Sequence, residues 1–191
     1  MLIQLADKEP NRWYLAYGSN LSSKTFKGRR DIHPLARCNV TVPSLELTFD
    51  LPGIPYLEPC FANVRRTADN STRAAASTDS HPPVLTGVAY LITPEDYRKV
   101  IASEGGGVSY EETAVECWRL PSSLHEKTSQ ASNLIIDGAY CDGDELDESF
   151  IAYTLLAPDS KRRSAPMQPS KRYINIIQSG ARGKSFYLPF L

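Results

Sequence analysis

Three short stretches hold residues whose types and spacing could do chemistry. The first is Tyr17-Gly18-Ser19-Asn20-Leu21, where an aromatic and aliphatic run from Trp13 breaks off. Free N–H groups where a strand turns into a helix bind anions, because they lack intrahelical partners and sit at the positive end of the dipole. Gly18 would let a ligand approach the backbone, and Ser19 and Asn20 add polar handles. The second is Glu104-Gly105-Gly106-Gly107. A carboxylate at a helix C-terminus faces the negative pole, which favours proton uptake, so Glu104 is a candidate general base. The third is Ser170-Lys171-Arg172-Tyr173, with Tyr173 placed to line a site as a phenol. Taken singly, each also has a plain structural reading: a capped turn, a solvated helix stop and a helix-entry aromatic.

The elements that must position these residues follow from local pattern. Residues 13–17 read as a strand ending in the Gly18-Ser19-Asn20 turn, and residues 21–28 as a short helix capped by Ser19 or Asn20. Residues 40–51 read as one strand or two. Residues 51–59 carry three prolines and a glycine, which excludes a helix or a central strand. Residues 60–64 and 84–92 read as strands, with a polar loop over 67–83 between them. Thr93-Pro94-Glu95-Asp96 is a strong helix start, and that helix must stop at Gly105. Further strands are expected at 113–120, 134–140 and 150–156, loops at 121–133 and 157–172, and a last helix at 173–181. About six strands with three interspersed helices give an α+β fold, a mixed β-sheet or small barrel with a few flanking helices. All 191 residues read as a single domain.

Composition narrows the function classes. Lys plus Arg is 21 against 22 Asp plus Glu, so a basic nucleic-acid surface over the whole chain is excluded. No apolar run reaches the roughly 18 residues of a membrane span, and no basic-then-apolar leader opens the sequence, so a cytoplasmic location is expected. The cysteines Cys38, Cys60, Cys117 and Cys141 form no CxxC, and His33, His81 and His125 lie far apart. No metal site is expected. Seryl-triad, Walker A and dinucleotide patterns are absent, so no cofactor is expected. The basic run Lys161-Arg162-Arg163 reads as a solvated loop or, as a rival, a surface for an acidic protein partner.

Together the three stretches resemble the γ-glutamylcyclotransferase-like superfamily. Its hallmarks are a Y-G-S-N-L/M loop after the first strand, matched in full by Tyr17 to Leu21, and a catalytic Glu with a Tyr several residues on, matched by Glu104 and Tyr110. A Tyr opening a late helix that ends in small residues is matched by Tyr173 through Gly180-Ala181. The order holds over residues 13–183. The stretch Leu47 to Ala62 is similar to a fungal branch, some of whose members are linked to sulfur-containing secondary metabolites made from glutathione adducts. The resemblance implies attack of a γ-glutamyl substrate's own α-amine on its γ-carbonyl, releasing 5-oxoproline and an amine. Glu104 would be the catalytic acid/base, with Tyr17, Gly18, Ser19, Asn20, Leu21, Tyr110 and Tyr173 binding substrate. Tyr56 and Glu58 are candidates for the leaving-group side. The implied partner is a small-molecule γ-glutamyl substrate, with no nucleic acid and no membrane, in a monomer or homodimer. A non-catalytic binding module for a γ-glutamyl or amino-acid ligand on the same fold is the alternative.

Overall fold

The computed structural model describes residues 9–67, 84–104, 110–120, 139–140 (backbone) and 149–184. In chain order the elements are β1 (Arg12–Ala16), β2 (Ala36–Val42), β3 (Leu45–Ile54), β4 (Glu58–Arg66), β5 (Leu85–Ile92), α1 (Pro94–Ser103), β6 (Glu111–Arg119), β7 (Ala139–Tyr140), β8 (Ser149–Leu156) and α2 (Lys171–Arg182). Five strands close on themselves in the order β5-β1-β8-β6-β2 and back to β5, while β7 adds to β2. Around the ring, β1 pairs with β8 in parallel and every other pairing is antiparallel. Closure removes the unpaired edges an open sheet would present. β3 and β4 form a separate antiparallel ribbon.

The expected fold class is thus the observed one, a small mixed barrel with a few flanking helices. Residues 40–51, readable as one strand or two, belong to two, parted at Pro43-Ser44. The proline-rich stretch does form regular structure: β3 runs through Pro52 to Ile54, but only in the two-stranded ribbon, which tolerates a missing donor. The helix expected at 21–28 is absent. A single 3-10 turn covers Ser19–Leu21 and a wide, π-type turn covers Lys24–Arg29. Ser22, Ser23 and Thr25 are weak helix formers and Gly28 interrupts the end, so tertiary packing decides the backbone. The wide turn drops Phe26 into the core, where its ring stacks on Tyr90 at 4.5 Å between centroids.

Tyr14, Leu15 and Ala16 are all buried, so β1 is covered on both faces. Leu15, Val40, Val88, Ile92, Val100 and Ile177 are fully excluded from solvent and fill the core. Thr93 accepts from the Asp96 N–H and starts α1 as expected, with Pro94 at the first helical position. Ser170 does the same for α2 through the Tyr173 N–H. Cys38, Cys60 and Cys117 are buried, and burial pushes the Cys117 thiol up to about 12. Arg162 of the basic loop turns inward, donating to the carbonyls of Ala157 (2.8 Å) and Val64 (3.0 Å). Residues 68–83 of the loop expected at 67–83, the expected loop at 121–133, residues 134–138 of the expected strand, and Gly105 to Gly107 lie outside the described residues. Among the described residues no helix is long and apolar enough to cross a membrane.

Candidate active site

Because β1 and β8 run parallel, with Tyr14 beside Tyr153, their C-terminal ends emerge at the same rim of the barrel. Tyr17 and the turn that follows leave β1 there. The Tyr17 hydroxyl donates to the Leu155 carbonyl on β8 at 2.5 Å, tying the turn to the neighbouring strand. α1 delivers Glu104 as its C-cap residue at the same rim. α2 presents Tyr173 from its first turn, and Tyr110 stands one residue before β6.

These residues line one cavity of about 30 Å³, with Tyr14, Tyr17, Gly18, Ser19, Asn20, Ala62, Glu104, Tyr110, Leu155 and Tyr173 in its wall. That is room for a water. A larger ligand enters only by parting the lining side chains. The Asn20 amide donates to the Tyr14 hydroxyl at 2.8 Å and to Glu104 Oε1 at 3.2 Å, so the turn and the carboxylate are joined directly. Glu104 Oε1 also lies 2.7 Å from an Arg30 guanidinium nitrogen. The Ala62 N–H donates to the Tyr173 hydroxyl at 3.3 Å.

Four phenols face this carboxylate, and burial pushes all of them well above the usual tyrosine range. The negative charge of Glu104 adds to the upward push on each. They are therefore neutral hydrogen-bonding groups and not bases at ordinary pH. Among the described residues Glu104 is the one carboxylate in the cavity wall.

Seven of the eight residues expected at the site line this cavity. The eighth, Leu21, points away: its side chain is fully buried beneath the turn, and its N–H is spent on the Gly18 carbonyl at 3.0 Å. The leucine anchors the turn from below, and the backbone donors left for an anion are those of residues 18–20. The two residues considered for the leaving-group side also lie outside the cavity. Tyr56 is fully exposed at the tip of the β3–β4 ribbon, with φ of 62°. Glu58 is buried, accepts from the Ser170 N–H at 2.8 Å and from its hydroxyl, and so fixes the start of α2.

Sequence reasoning missed Tyr14, Ala62, Leu155 and Arg30. Tyr14 had a usable signal, since it precedes the turn by one strand step on the face of Ala16. Nothing local separates Arg30 from Arg29. Among the described residues no group of three His, Cys, Asp or Glu side chains converges as metal ligands would.

No protein-family model matches the chain. A γ-glutamyl cyclotransferase of Clonostachys rogersoniana is 31% identical over 166 residues, covering 85% of this chain and 80% of that protein. The chain belongs to the γ-glutamyl cyclotransferase family. Other family members include one of Aspergillus fumigatus, 40% identical over 93% of this chain and 59% of its own length. One of Aspergillus oryzae is 34% identical over 96% of this chain and 62% of its own. The chain thus spans about 60% of the length of these two curated relatives. Among solved structures, a γ-glutamyl cyclotransferase superposes with a TM-score of 0.60 at 15% identity, covering 94% of this chain and 82% of that one. A yeast γ-glutamyl cyclotransferase described as specific to glutathione gives 0.58 at 15% identity, covering 96% and 90%. Both share the fold.

Proposed function

We propose that this chain cleaves a γ-glutamyl amide by cyclisation, releasing 5-oxoproline and an amine. One observation carries the reading: Glu104 and the turn of residues 17–20 line the same cavity and are joined by the Asn20–Glu104 hydrogen bond. Such a reaction needs no enzyme nucleophile. The attacking amine and the carbonyl belong to one molecule, so holding that molecule folded supplies much of the rate. What the protein must add is proton transfer and charge stabilisation.

The substrate α-ammonium gives a proton to the Glu104 carboxylate, and the amine attacks the γ-carbonyl carbon. The C–N bond to the leaving nitrogen then breaks as Glu104 returns that proton to it. The second proton shed by the attacking nitrogen ends on the released amine, which departs as its ammonium. Glu104 finishes ionised, as it began. The amides of residues 18–20 are the donors available to the substrate carboxylate or to the oxyanion that develops on the γ-carbonyl. The neutral phenols of Tyr14, Tyr17, Tyr110 and Tyr173 line the pocket and orient its contents.

The leaving group is read as a peptide or amine derived from glutathione or a glutathione conjugate, which fits membership of this family. The test is a 5-oxoproline product assay with γ-glutamyl amino acids, glutathione, γ-glutamylamines and an S-conjugate of glutathione. Release from at least one class supports the reading. Tight binding of a γ-glutamyl ligand with no product from any of them replaces it with a non-catalytic binding module.

A further inference from the structure

We propose that Arg30 is the positioning residue that aims Glu104. Arg30 follows the wide turn of residues 24–29, and its N–H closes that turn on the Thr25 carbonyl at 3.2 Å. Its side chain reaches to the end of α1. One guanidinium nitrogen lies 2.7 Å from Glu104 Oε1 and another engages the Ser103 hydroxyl, which itself donates to the Val100 carbonyl at 2.8 Å. The fork therefore grips two consecutive residues at the helix terminus. α1 carries no basic residue in its own last turn, so Arg30 supplies from another segment the cation that a helix C-terminus favours.

The consequence for chemistry lies in which oxygen is held. Arg30 and Asn20 both converge on Oε1. With Oε1 held from two sides, Oε2 is the oxygen assigned to take and return the substrate's proton. Two donors from different directions stop the carboxylate rotating, and a rigid fork does this better than a flexible ammonium. Arg30 is not in the cavity wall, so it acts through Glu104 rather than on the substrate. Among the described residues the charged and polar groups around the carboxylate are Arg30, Asn20 and Ser103, with the phenols of Tyr14, Tyr17, Tyr110 and Tyr173 beyond them.

This inference rests on Glu104 as the proton carrier, and the experiment separates the two. The full chain is prepared as Arg30→Ala, Arg30→Lys, Glu104→Gln and the Arg30→Ala/Glu104→Gln pair, each checked for folding by circular dichroism. Steady-state 5-oxoproline release is then measured with the best substrate. Arg30→Ala should lower kcat about 100-fold with KM nearly unchanged. Arg30→Lys should recover about a tenth of the wild-type kcat. In the Glu104→Gln background, removing Arg30 should cost nothing further, because the group it aims is gone. A folded Arg30→Ala with wild-type kcat, a loss confined to KM, or an additive loss in the double variant each overturns the proposal. If Arg30→Ala does not fold, Arg30→Lys decides: a reduced kcat at constant KM supports the role, and a wild-type kcat refutes it. An active Glu104→Gln would instead bring down the proton-carrier reading itself.

Discussion

Gly180 gives the sharpest test of how the fold holds the site. It lies on α2 where the helix crosses the turn after β1. A Cβ built there would sit 2.5 Å from the Leu21 carbonyl carbon, 2.6 Å from the Ser22 nitrogen and 2.8 Å from Leu21 Cβ. Two of those atoms are backbone and cannot rotate away. Ordinary contact begins near 3.4 Å, so Gly180→Ala must move the turn by about 0.9 Å. Alanine gains about 1 kcal/mol of helix propensity over glycine. Overpacking against backbone should cost about 3 kcal/mol, the upper end of its usual range. The net loss is about 2 kcal/mol, or a fall in Tm of about 4–8 °C for a chain of this size. The same displacement strikes the Asn20–Glu104 contact, and an error of about 1 Å in a catalytic arrangement can cost 100-fold in rate. Thermal unfolding and 5-oxoproline release are measured side by side on the wild type, Gly180→Ala and a control, Gly28→Ala. At Gly28 an added Cβ meets nothing within 4 Å, so that variant should keep its activity. A Gly180→Ala protein with a raised Tm and full activity would refute the claim that this close approach sets the turn.

Other outcomes follow from the same geometry. Gly18→Ala should leave Tm within a few degrees, because its Cβ meets Ala62 Cβ and the Tyr173 hydroxyl at ordinary distances of 3.4 and 3.5 Å. The methyl occupies the water-sized cavity, however, so KM should rise about tenfold or more in the cyclisation assay. Lys184 is buried with its amine 3.0 Å from the Ser23 hydroxyl, and burial, helped by the charges of Arg37 and Lys27, pulls it down to about 7. The folded amine then binds fewer protons than the unfolded one between about pH 7 and the ordinary lysine value of 10.5. Stability should climb with pH across that window, by up to about 1.4 kcal/mol per unit, with the burial penalty felt in full below it. Lys184→Met should flatten that slope and raise Tm at pH 6, read by thermal unfolding against pH. Tyr173→Phe loses the hydroxyl that accepts from the Ala62 N–H, and should cost about 1 kcal/mol in chemical denaturation with the fold retained.

What could be read from the sequence was whatever short-range chemistry dictates. Thr93-Pro94 starts α1, because capping acts over a few residues, and Glu104 stands at the helix end where the sequence put it. The Tyr17 to Asn20 turn was legible because a strand pattern stops at a glycine. Which strands close the barrel was not, since the β2–β5 and β2–β6 pairings join distant segments that carry no mark of one another. Leu21 shares a motif with its polar neighbours, yet its apolar side chain goes to the core, as burial demands. Glu58 reads from the sequence as a candidate for the leaving-group side. It is buried, and that position is tolerable because Ser170, 112 residues away, donates to it twice and an Arg172 guanidinium nitrogen lies 3.9 Å from Oε2. Arg30 is the largest omission, because its meaning depends on where α1 ends in space.

Glu104, in a cavity shared with the turn of residues 17–20, is the proposed proton carrier. Comparing wild type with Glu104→Gln for 5-oxoproline release from a γ-glutamyl amide tests that role most directly. The amide keeps the shape and can still meet Arg30 through its oxygen, but it cannot accept a proton. Loss of nearly all turnover, with an unchanged melting profile and retained substrate binding, is the predicted result. Turnover at the wild-type rate in a folded Glu104→Gln protein would contradict it.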